Sequence, residues 1–421
     1  MVRKKNVMMD FLVIAYVFFN VLPVSLPSGL AVRYPILVGL VLSSIVFCPH
    51  YFFSAKTQKY TVSAILIFFI LTIYSLLYGN EMENIMLFVT PLITLFSIPA
   101  FRYCIEMYGI KRYLNVFSIA CVIMIIVFGY INYHAMNGNL LFIGHLSDTL
   151  NFIRVGKSDY GGRVVISTFV YMIPFSIIWM NRLKGIPFLL FSVFMFIIAA
   201  LSQTMGILIP IVLYFVFIQI KRKEWSVTIV SLAACIYLYS IFSGFIQDFL
   251  YIKSGSIGAK STQIDEFFKG FKDIEYLFGR GIGCLFHNFG GRDVHDPMIE
   301  VAIVQIVQMG GLLFSWLLVY VYLGPPLLTL KRNHDKKITD LNSHILCFSQ
   351  LGYFVASLSN PYLWSAGGLF FNVLIEAYCN QYKINTDVRL RYHVSQRIDN
   401  QTMNAQEVSS EGIVSVIRLE N

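Results

Sequence analysis

Long apolar runs, rather than alternating apolar and polar positions, extend along this chain from one end to the other. Runs of about 18 residues or more recur, and each can cross the roughly 30 Å hydrocarbon core of a bilayer as a helix. The pattern predicts an all-α polytopic membrane protein, because a helix satisfies its own backbone polar groups where lipid offers no partner. About twelve spans are predicted, near residues 7–26, 30–49, 60–78, 84–101, 113–133, 164–180, 186–201, 206–220, 226–246, 298–323, 343–359 and 362–380.

The composition agrees with a membrane protein and excludes an ordinary soluble domain. The chain of 421 residues is 57% hydrophobic and only 13% charged, whereas about a quarter of a soluble domain is charged. We expect residues 1–380 to form one integral membrane domain and the polar residues 381–421 to form a cytoplasmic tail. The seven cysteines show neither a CxxC pair nor metal-ligand spacing, so no disulfide or metal is expected, and no cofactor is assigned.

The basic residues set the predicted orientation in the membrane. With the N-terminus inside, about two thirds of the 32 Lys and Arg residues fall in cytoplasmic segments, and the short outer loops contain none. Both termini are then cytoplasmic, and two enlarged loops, 134–163 and 247–297, lie on the outer face. The net charge of +9 is therefore explained by topology, and no nucleic-acid partner is expected.

The longer outer loop contains a stretch with helical spacing at residues 262–278. Its apolar residues, such as Ile264, Phe268 and Phe271, recur on one face and its charged residues on the other, which predicts an amphipathic helix. That helix lies either in the bilayer surface or against the ends of the transmembrane helices. The glycine-rich run 279–283 that follows either brings backbone amides to an anion or turns the chain.

A polar cluster stands directly before the next predicted span. Pro297 suits the first turn of that helix, which places His295 and Asp296 at its outer N-terminus, where anions are favoured. By the same placement Glu300 is a carboxylate inside the membrane, and such groups are costly enough to indicate function. This cluster is therefore the first candidate for catalytic chemistry.

Arginines on the outer side depart from the charge distribution of the remaining chain. Arg33, Arg163, Arg280 and Arg292 are predicted near the outer membrane surface, and snorkelling is the alternative explanation for the first two. Because a guanidinium matches phosphate oxygens, an anionic ligand is expected there. In a bacterial cell the obvious candidate is a lipid diphosphate that carries a glycan, with a histidine as the base for an acceptor hydroxyl.

These features resemble those of the O-antigen polymerase and O-antigen ligase superfamily. The number of spans, the inner termini and the two large outer loops agree over nearly the whole chain, and a late motif covers residues 279–312. The residues that match the order of the motif are Gly281, Gly283, His295, Gly310 and Gly311. Arg163 resembles the family's loop arginine. One departure is the tight outer hairpin, which has Ser202 and Gln203 where the family often has Ser-Arg.

The resemblance implies a metal-independent, inverting glycosyltransferase of the bacterial inner membrane. Its donor would be an undecaprenyl-diphosphate-linked oligosaccharide. An O-antigen polymerase (Wzy-type) joins such repeat units at the outer face, whereas a ligase transfers the glycan to lipid A-core. The polymerase is favoured because the loop 247–297 has six Lys and Arg against seven Asp and Glu, little positive charge for a phosphorylated core. A lipid-linked oligosaccharide flippase is a further alternative, disfavoured because the span interiors carry almost no charge.

The sequence and the resemblance together assign roles to particular residues. Catalysis is assigned to His295, Asp296 and Glu300; diphosphate binding to Arg33, Arg163, Arg280 and Arg292; and the substrate loops to Arg154, Gly281, Gly283 and His287. The expected partners are the lipid-linked oligosaccharide, membrane lipids, a flippase and a chain-length regulator.

The predicted topology can be tested with reporter fusions. A reporter that is active only outside the cytoplasm should be active when fused after residue 270 and inactive when fused after residue 335, because the two positions lie on opposite sides of the span that begins near residue 298. A cytoplasm-active reporter at the same two positions is the control and should give the reverse result. Activity on the wrong side at either position would remove the basis for an outward-facing site.

Overall fold

The structure is a computed structural model of the chain. It describes residues 6–22, 24, 31–136, 153–158, 161–202, 205–223, 258, 261, 264–265, 271–285, 301–358, 361–365 and 367–379. Most of these residues are helical, as the apolar pattern predicts. The helices are α1 (Val7–Val21), α2 (Arg33–Phe47), α3 (Ala55–Tyr78), α4 (Met82–Val89), α5 (Ile98–Tyr108), α6 (Ile110–Met136), α7 (Met172–Arg182), α8 (Gly185–Leu201), α9 (Met205–Arg222), α10 (Asp273–Phe278), α11 (Ala302–Asp335), α12 (Leu341–Ser357) and α13 (Gly367–Cys379).

Short elements connect several of these helices. A four-residue helix, Pro49–Phe52, precedes α3, and 3-10 segments occur at Thr90–Ser97, Ser167–Tyr171 and Pro361–Trp364. The first 3-10 segment joins α4 to α5 without a break, so the predicted span 84–101 consists of three helical pieces. Pro91 lies in the first turn of that segment, where a missing N–H ends the α-helical hydrogen-bond ladder.

Four helical stretches in the described part of the chain are long and apolar enough to cross a membrane. They are Thr57–Tyr78, Met82–Tyr108, Ile110–His134 and Ala302–Asp335, and shorter apolar helices are Val7–Val21, Arg33–Phe47, Gly185–Ala199 and Gly367–Cys379. These lengths and compositions support a helical membrane protein. The count of twelve spans and the sides of the loops stay predictions, and the predicted span 226–246 lies outside the described residues.

A β-hairpin at residues 153–166, which begins in the first long loop of the predicted topology, is an addition to the predicted helical fold. Strands β1 (Ile153–Ser158) and β2 (Gly161–Ile166) pair antiparallel, with Ile153 opposite Ile166 and Ser158 opposite Gly161. The predicted start of a membrane span at residue 164 was wrong. The run Val164, Val165, Ile166 reads equally well as a buried helix or as a strand, and β-branched residues favour the strand. The helical part of that span begins only after the hairpin.

The predicted amphipathic helix over residues 262–278 is also interrupted. Residues 264–265 are helical, but Phe271 and Lys272 are not, and α10 begins at Asp273. The break occurs because a new helix begins here. The Glu275 carboxylate accepts a hydrogen bond from the Lys272 amide at 2.9 Å, which is half of a capping box. The helical spacing of the apolar residues persists across this point, and it concealed the break.

The helix α11 differs from its predicted span at both ends. It begins at Ala302 with an extended Val301 before it, and it continues to Asp335. The helix therefore starts later than the placement of Pro297 in its first turn required, and that placement was wrong. Gly311 has φ +54° and ψ −160°, which divides α11 into two helical segments. This break becomes important for the candidate site.

Two consecutive prolines inside α11 leave buried backbone carbonyls that must be bonded by side chains of other helices. A proline has no N–H to donate to the carbonyl four residues earlier, so Pro325 and Pro326 leave the carbonyls of Val321 and Tyr322 without helical partners. Asn372 of α13, which is fully buried, donates its side-chain amide to both oxygens at 3.1 Å. A polar residue in an apolar helix is therefore a structural part of the bundle.

We predict that Asn372→Ala lowers the thermal stability of the purified protein in detergent. The change removes one hydrogen-bond donor from each of two buried carbonyls, which keep the Tyr60 hydroxyl (at Val321) and the Gln350 amide (at Tyr322) as remaining donors. Each hydrogen bond that is lost contributes about 0.5–1.5 kcal/mol. Ser349→Ala is the matched control, because Ser349 is equally buried and its hydroxyl has no hydrogen-bond partner. The measurement is the melting temperature of both variants, and equal values would contradict this account of Asn372.

Candidate functional site

The segment 279–283, here called the glycine turn, is held by protein groups on its amide side. The amides of Gly279, Arg280 and Gly281 donate to the carbonyls of Glu275 (2.8 Å), Gln308 (2.6 Å) and Met309 (3.2 Å). The amide of Ile282 donates to the Ser75 hydroxyl at 2.6 Å. Four successive amides thus have protein acceptors. Of the two alternatives for this run, chain reversal is therefore favoured over an anion cradle.

The carbonyl side of the glycine turn is held by side chains at the C-terminal end of α3, an end that the predicted topology assigns to the outer face. The Tyr74 hydroxyl donates to the Gly279 carbonyl at 2.8 Å. The Asn80 amide donates to the carbonyls of Arg280 (2.8 Å) and Ile282 (3.0 Å). Backbone groups must form hydrogen bonds when they are buried. Here the carbonyls of the turn obtain their partners from Tyr74 in α3 and Asn80 just after it.

Glycine is required at this contact because two backbones approach closely. Gly281 and Gly283 have φ of +81° and +77°, and a Cβ would lie 2.6 Å from the Ser75 Oγ and 2.6 Å from the Ile85 amide. Gly311, at the break in α11, would place a Cβ 2.4 Å from the carbonyl carbon of Leu277. Gly281 and Gly283 are thus explained by the packing of the turn against the end of α3 and the start of α4, and Gly311 by the packing of the broken helix against the end of α10.

Arg280 is engaged by a carboxylate of its own segment. Its guanidinium lies 2.9 Å from Glu275, and it also lies over the Phe271 ring at 4.7 Å. Glu275 is 4% exposed and accepts hydrogen bonds from the Tyr78 hydroxyl and the Lys272 amide. Burial raises the pKa of Glu275, but these hydrogen bonds and Arg280 outweigh it, so the net pKa is lowered. Arg280 would have to share its guanidinium between Glu275 and a diphosphate.

Two buried glutamines continue the polar path from the glycine turn. Gln308 donates to the thiol of Cys284 at 3.3 Å, and Gln305 accepts the indole N–H of Trp364 at 2.6 Å. Burial raises the pKa of the Cys284 thiol. Neither glutamine was selected from the sequence. Two polar residues three positions apart inside an apolar span could have indicated them, because burying polar side chains in a membrane costs free energy.

A second group of polar side chains surrounds Arg33; it is called the Arg33 cluster and comprises Asn20, Arg33, Tyr171, Tyr353 and Ser365. Asn20 donates to the Tyr171 hydroxyl at 2.7 Å, and the Tyr353 and Ser365 hydroxyls lie 3.2 Å apart. The rings of Tyr171 and Tyr353 are 5.9 Å apart, and the Tyr171 hydroxyl interacts electrostatically with Arg33. Three helices (α1, α2 and α12) and two connecting segments thus contribute side chains to this one polar cluster.

Arg33 is half-buried and has no carboxylate partner among the described residues. Its Nε atom is shielded from solvent without a hydrogen-bond partner, and its guanidinium lies 5.2 Å from the centre of the Tyr34 ring. The carbonyl side of the Asn20 amide, Oδ1, is buried and unpaired as well. The cluster therefore presents one cationic and one neutral polar group whose hydrogen bonding is incomplete.

A series of residues joined by sequence and by hydrogen bonds connects the Arg33 cluster to the glycine turn. Ser365 follows Trp364, which binds Gln305, and Gln305 lies one turn from Gln308, the acceptor of the Arg280 amide. These groups lie at the C-terminal ends of α1, α3 and α12 and at the N-terminal ends of α2 and α11. By the predicted topology all of these are outer ends.

The remaining predicted site residues fall into two groups. His287, Arg292, His295, Asp296 and Glu300 lie outside the described residues, so their roles stay predictions. Arg154 and Arg163 lie on the hairpin, where Arg154 is opposite Val165 and Arg163 is opposite Gly156. Since residues two apart share a face of a strand, this register places positions 154 and 163 on the same face.

Comparison with known proteins gives no family model that matches this chain and no curated protein that is similar to it in sequence. Within the described residues, no group of three or more His, Cys, Asp or Glu is arranged to bind a metal ion. The chemistry of the site is therefore argued from its own residues.

We predict that the ion pair between Arg280 and Glu275 makes the thermal stability of the protein depend on pH. A carboxyl whose pKa is lowered by folding stabilises the fold above its unfolded pKa, about 4.5 for Glu275, and this contribution is lost as pH falls below that value. Glu275→Gln should lower the melting temperature at pH 7, and its difference from wild type should shrink toward pH 4. Glu83→Gln, at an exposed position, is the control. A difference that does not change with pH would contradict the ion-pair explanation.

Proposed function

We propose that this protein is an oligosaccharide repeat-unit polymerase of the O-antigen type, an inverting glycosyltransferase that joins undecaprenyl-diphosphate-linked glycans. The observation that carries the proposal is Arg33, a half-buried guanidinium without a carboxylate partner in the described part of the chain. It lies beside tyrosine hydroxyls at the end of the bundle that the charge distribution assigns to the outer face. The proposed location is the bacterial inner membrane.

The energetic cost of Arg33 supports an anionic ligand. A partly buried charge is destabilising unless it is paired. The Tyr34 side chain supplies a hydrogen bond and a cation–π contact, and a contact of the second kind contributes about 0.5–2 kcal/mol. Arg112, by comparison, lies 2.6 Å from the Asp10 carboxylate, and Arg280 lies 2.9 Å from Glu275. A diphosphate supplies the missing charge and the geometry that a guanidinium fits.

The neutral groups beside Arg33 support a sugar as the rest of the ligand. Sugar hydroxyls both donate and accept hydrogen bonds, and Asn20 offers an unpaired Oδ1 acceptor while Tyr171, Tyr353 and Ser365 offer hydroxyls. A polar group at an apolar interface is the usual way in which a ligand site obtains orientation and specificity. The cluster suits a ligand that is anionic at one point and hydroxylated elsewhere.

The proposed reaction is a direct displacement at the anomeric carbon. The hydroxyl of the acceptor glycan forms the new glycosidic bond while the bond from the anomeric carbon to the diphosphate breaks, and the diphosphate leaves on its lipid. His295 accepts the hydroxyl proton and Asp296 orients it, with Glu300 beside them. Arg33, Arg163, Arg280 and Arg292 stabilise the leaving charge. A flippase would supply the donor, and a chain-length regulator would end the polymer.

We predict that Arg33→Ala lowers the yield of polymer at least about tenfold, because removing one preorganised donor to a developing anion costs that much or more. Arg33→Lys should keep part of the activity, since it retains charge but not the fork. The measurement is the ladder of lipopolysaccharide lengths in a strain that has this chain as its only polymerase. His295→Ala should give the same loss.

The control is Arg332→Ala, a partly exposed arginine at the end of α11 that is predicted to be cytoplasmic, and it should leave the ladder unchanged. Single-repeat lipopolysaccharide in the Arg33 variant supports a polymerase. Polymer that accumulates on the lipid carrier without reaching lipid A-core would indicate a ligase, and donor confined to the cytoplasmic face would indicate a flippase. A normal ladder in the variants of both Arg33 and His295 would overturn the proposal.

A further inference from the structure

An apolar groove lies between three helices of the bundle. It is formed by α7, α9 and α12 and has a volume of about 190 Å³. Its walls include Ile177, Leu213, Phe217, Phe348, Leu351 and Val355. Pockets that enclose a whole small ligand are usually about 300–1,000 Å³, so this groove suits part of a longer apolar chain.

One end of the groove is basic, because α9 and α12 bring basic residues to it. Lys221 and Arg222 are the last residues of α9, one turn beyond Phe217. His344 lies one turn before Phe348 at the start of α12, and the two rings stack at 6.3 Å. The charge distribution of the sequence assigns this end to the cytoplasmic side.

Two of these basic side chains have incomplete hydrogen bonding. Arg222 donates from Nη2 to the carbonyl of Met180 at 2.7 Å, but its Nη1 is buried and unpaired. The Nδ1 atom of His344 is also buried without a partner. The nearest described carboxylate is Asp340, whose oxygens accept the backbone amides of Asn342 and Ser343 at 3.2 Å. Asp340 therefore caps its own helix, and the basic side chains remain in excess.

We propose that this groove binds an acyl chain of an anionic phospholipid of the cytoplasmic leaflet, with the phosphate at Lys221, Arg222 and His344. The groove is apolar where lipid tails lie and basic where lipid phosphates lie, and anionic lipids attract basic residues at the cytoplasmic surface. The lipid bridges the ends of α7, α9 and α12. The site is independent of the transferase proposal, because its basic end is opposite to the end that bears Arg33.

Retention of lipid by the purified full chain tests this site. The protein is titrated in detergent with dioleoyl phosphatidylglycerol or dioleoyl phosphatidylcholine, and bound lipid is counted by native mass spectrometry. We expect about fivefold tighter retention of phosphatidylglycerol, as one or two basic contacts provide. Lys221→Gln should reduce that preference to about that of phosphatidylcholine. Lys331→Gln, an exposed lysine on α11, is the matched control and should leave the preference unchanged.

A second pair of variants tests the groove itself. Leu213 is 59% exposed in the groove, and Leu213→Trp should fill it and reduce retention of both lipids. Leu190 is 65% exposed on α8 outside the groove, and Leu190→Trp should have no effect. Equal retention of the two lipids by wild type, or full retention by Leu213→Trp, would overturn the site. Tighter binding of a polyprenyl phosphate than of phosphatidylglycerol would overturn the assignment to a phospholipid.

Discussion

Every polar group inside this bundle needs a partner from the protein, because hydrocarbon offers none. That constraint explains why the segment around Gly281 is bonded on both its amide and its carbonyl side. It also explains why Asn372 lies where Pro325 and Pro326 leave carbonyls unpaired. In each case an interruption of regular helix is possible only because a side chain from another helix completes the hydrogen bonding.

The same constraint separates the arginines into two kinds. Arg112 and Arg280 are neutralised by carboxylates, so the protein itself accounts for them. Arg33 has no carboxylate among the described residues, and Arg222 has a buried unpaired nitrogen. Incompletely paired cationic groups favour anions from outside the protein. For this reason we propose a lipid-linked diphosphate as the ligand of Arg33 and a phospholipid as the ligand of Arg222.

Sequence reasoning identified the elements better than it identified their interruptions. Apolar length predicted the described helices to within a few residues in most cases, but the hairpin at Gly161–Ile166 and the late start of α11 at Ala302 were not predicted. Hydropathy measures how apolar a segment is, and a β-branched run or a helix break leaves that value unchanged. For the site, Arg33 and the glycines were selected from the sequence and their roles in binding stay predictions, whereas Gln305 and Gln308 were missed.

The sequence alone determined the class of this protein, because more than half of its residues are hydrophobic and runs of that length are satisfied only as helices in lipid. It also determined which residues are out of place in such a chain. The tertiary structure decided how each of them is bonded: Gly281 permits two backbones to touch, Arg280 binds Glu275, and Arg33 has no carboxylate partner within the described ranges. Partners that are distant in sequence are brought together only by packing, and no local pattern contains them.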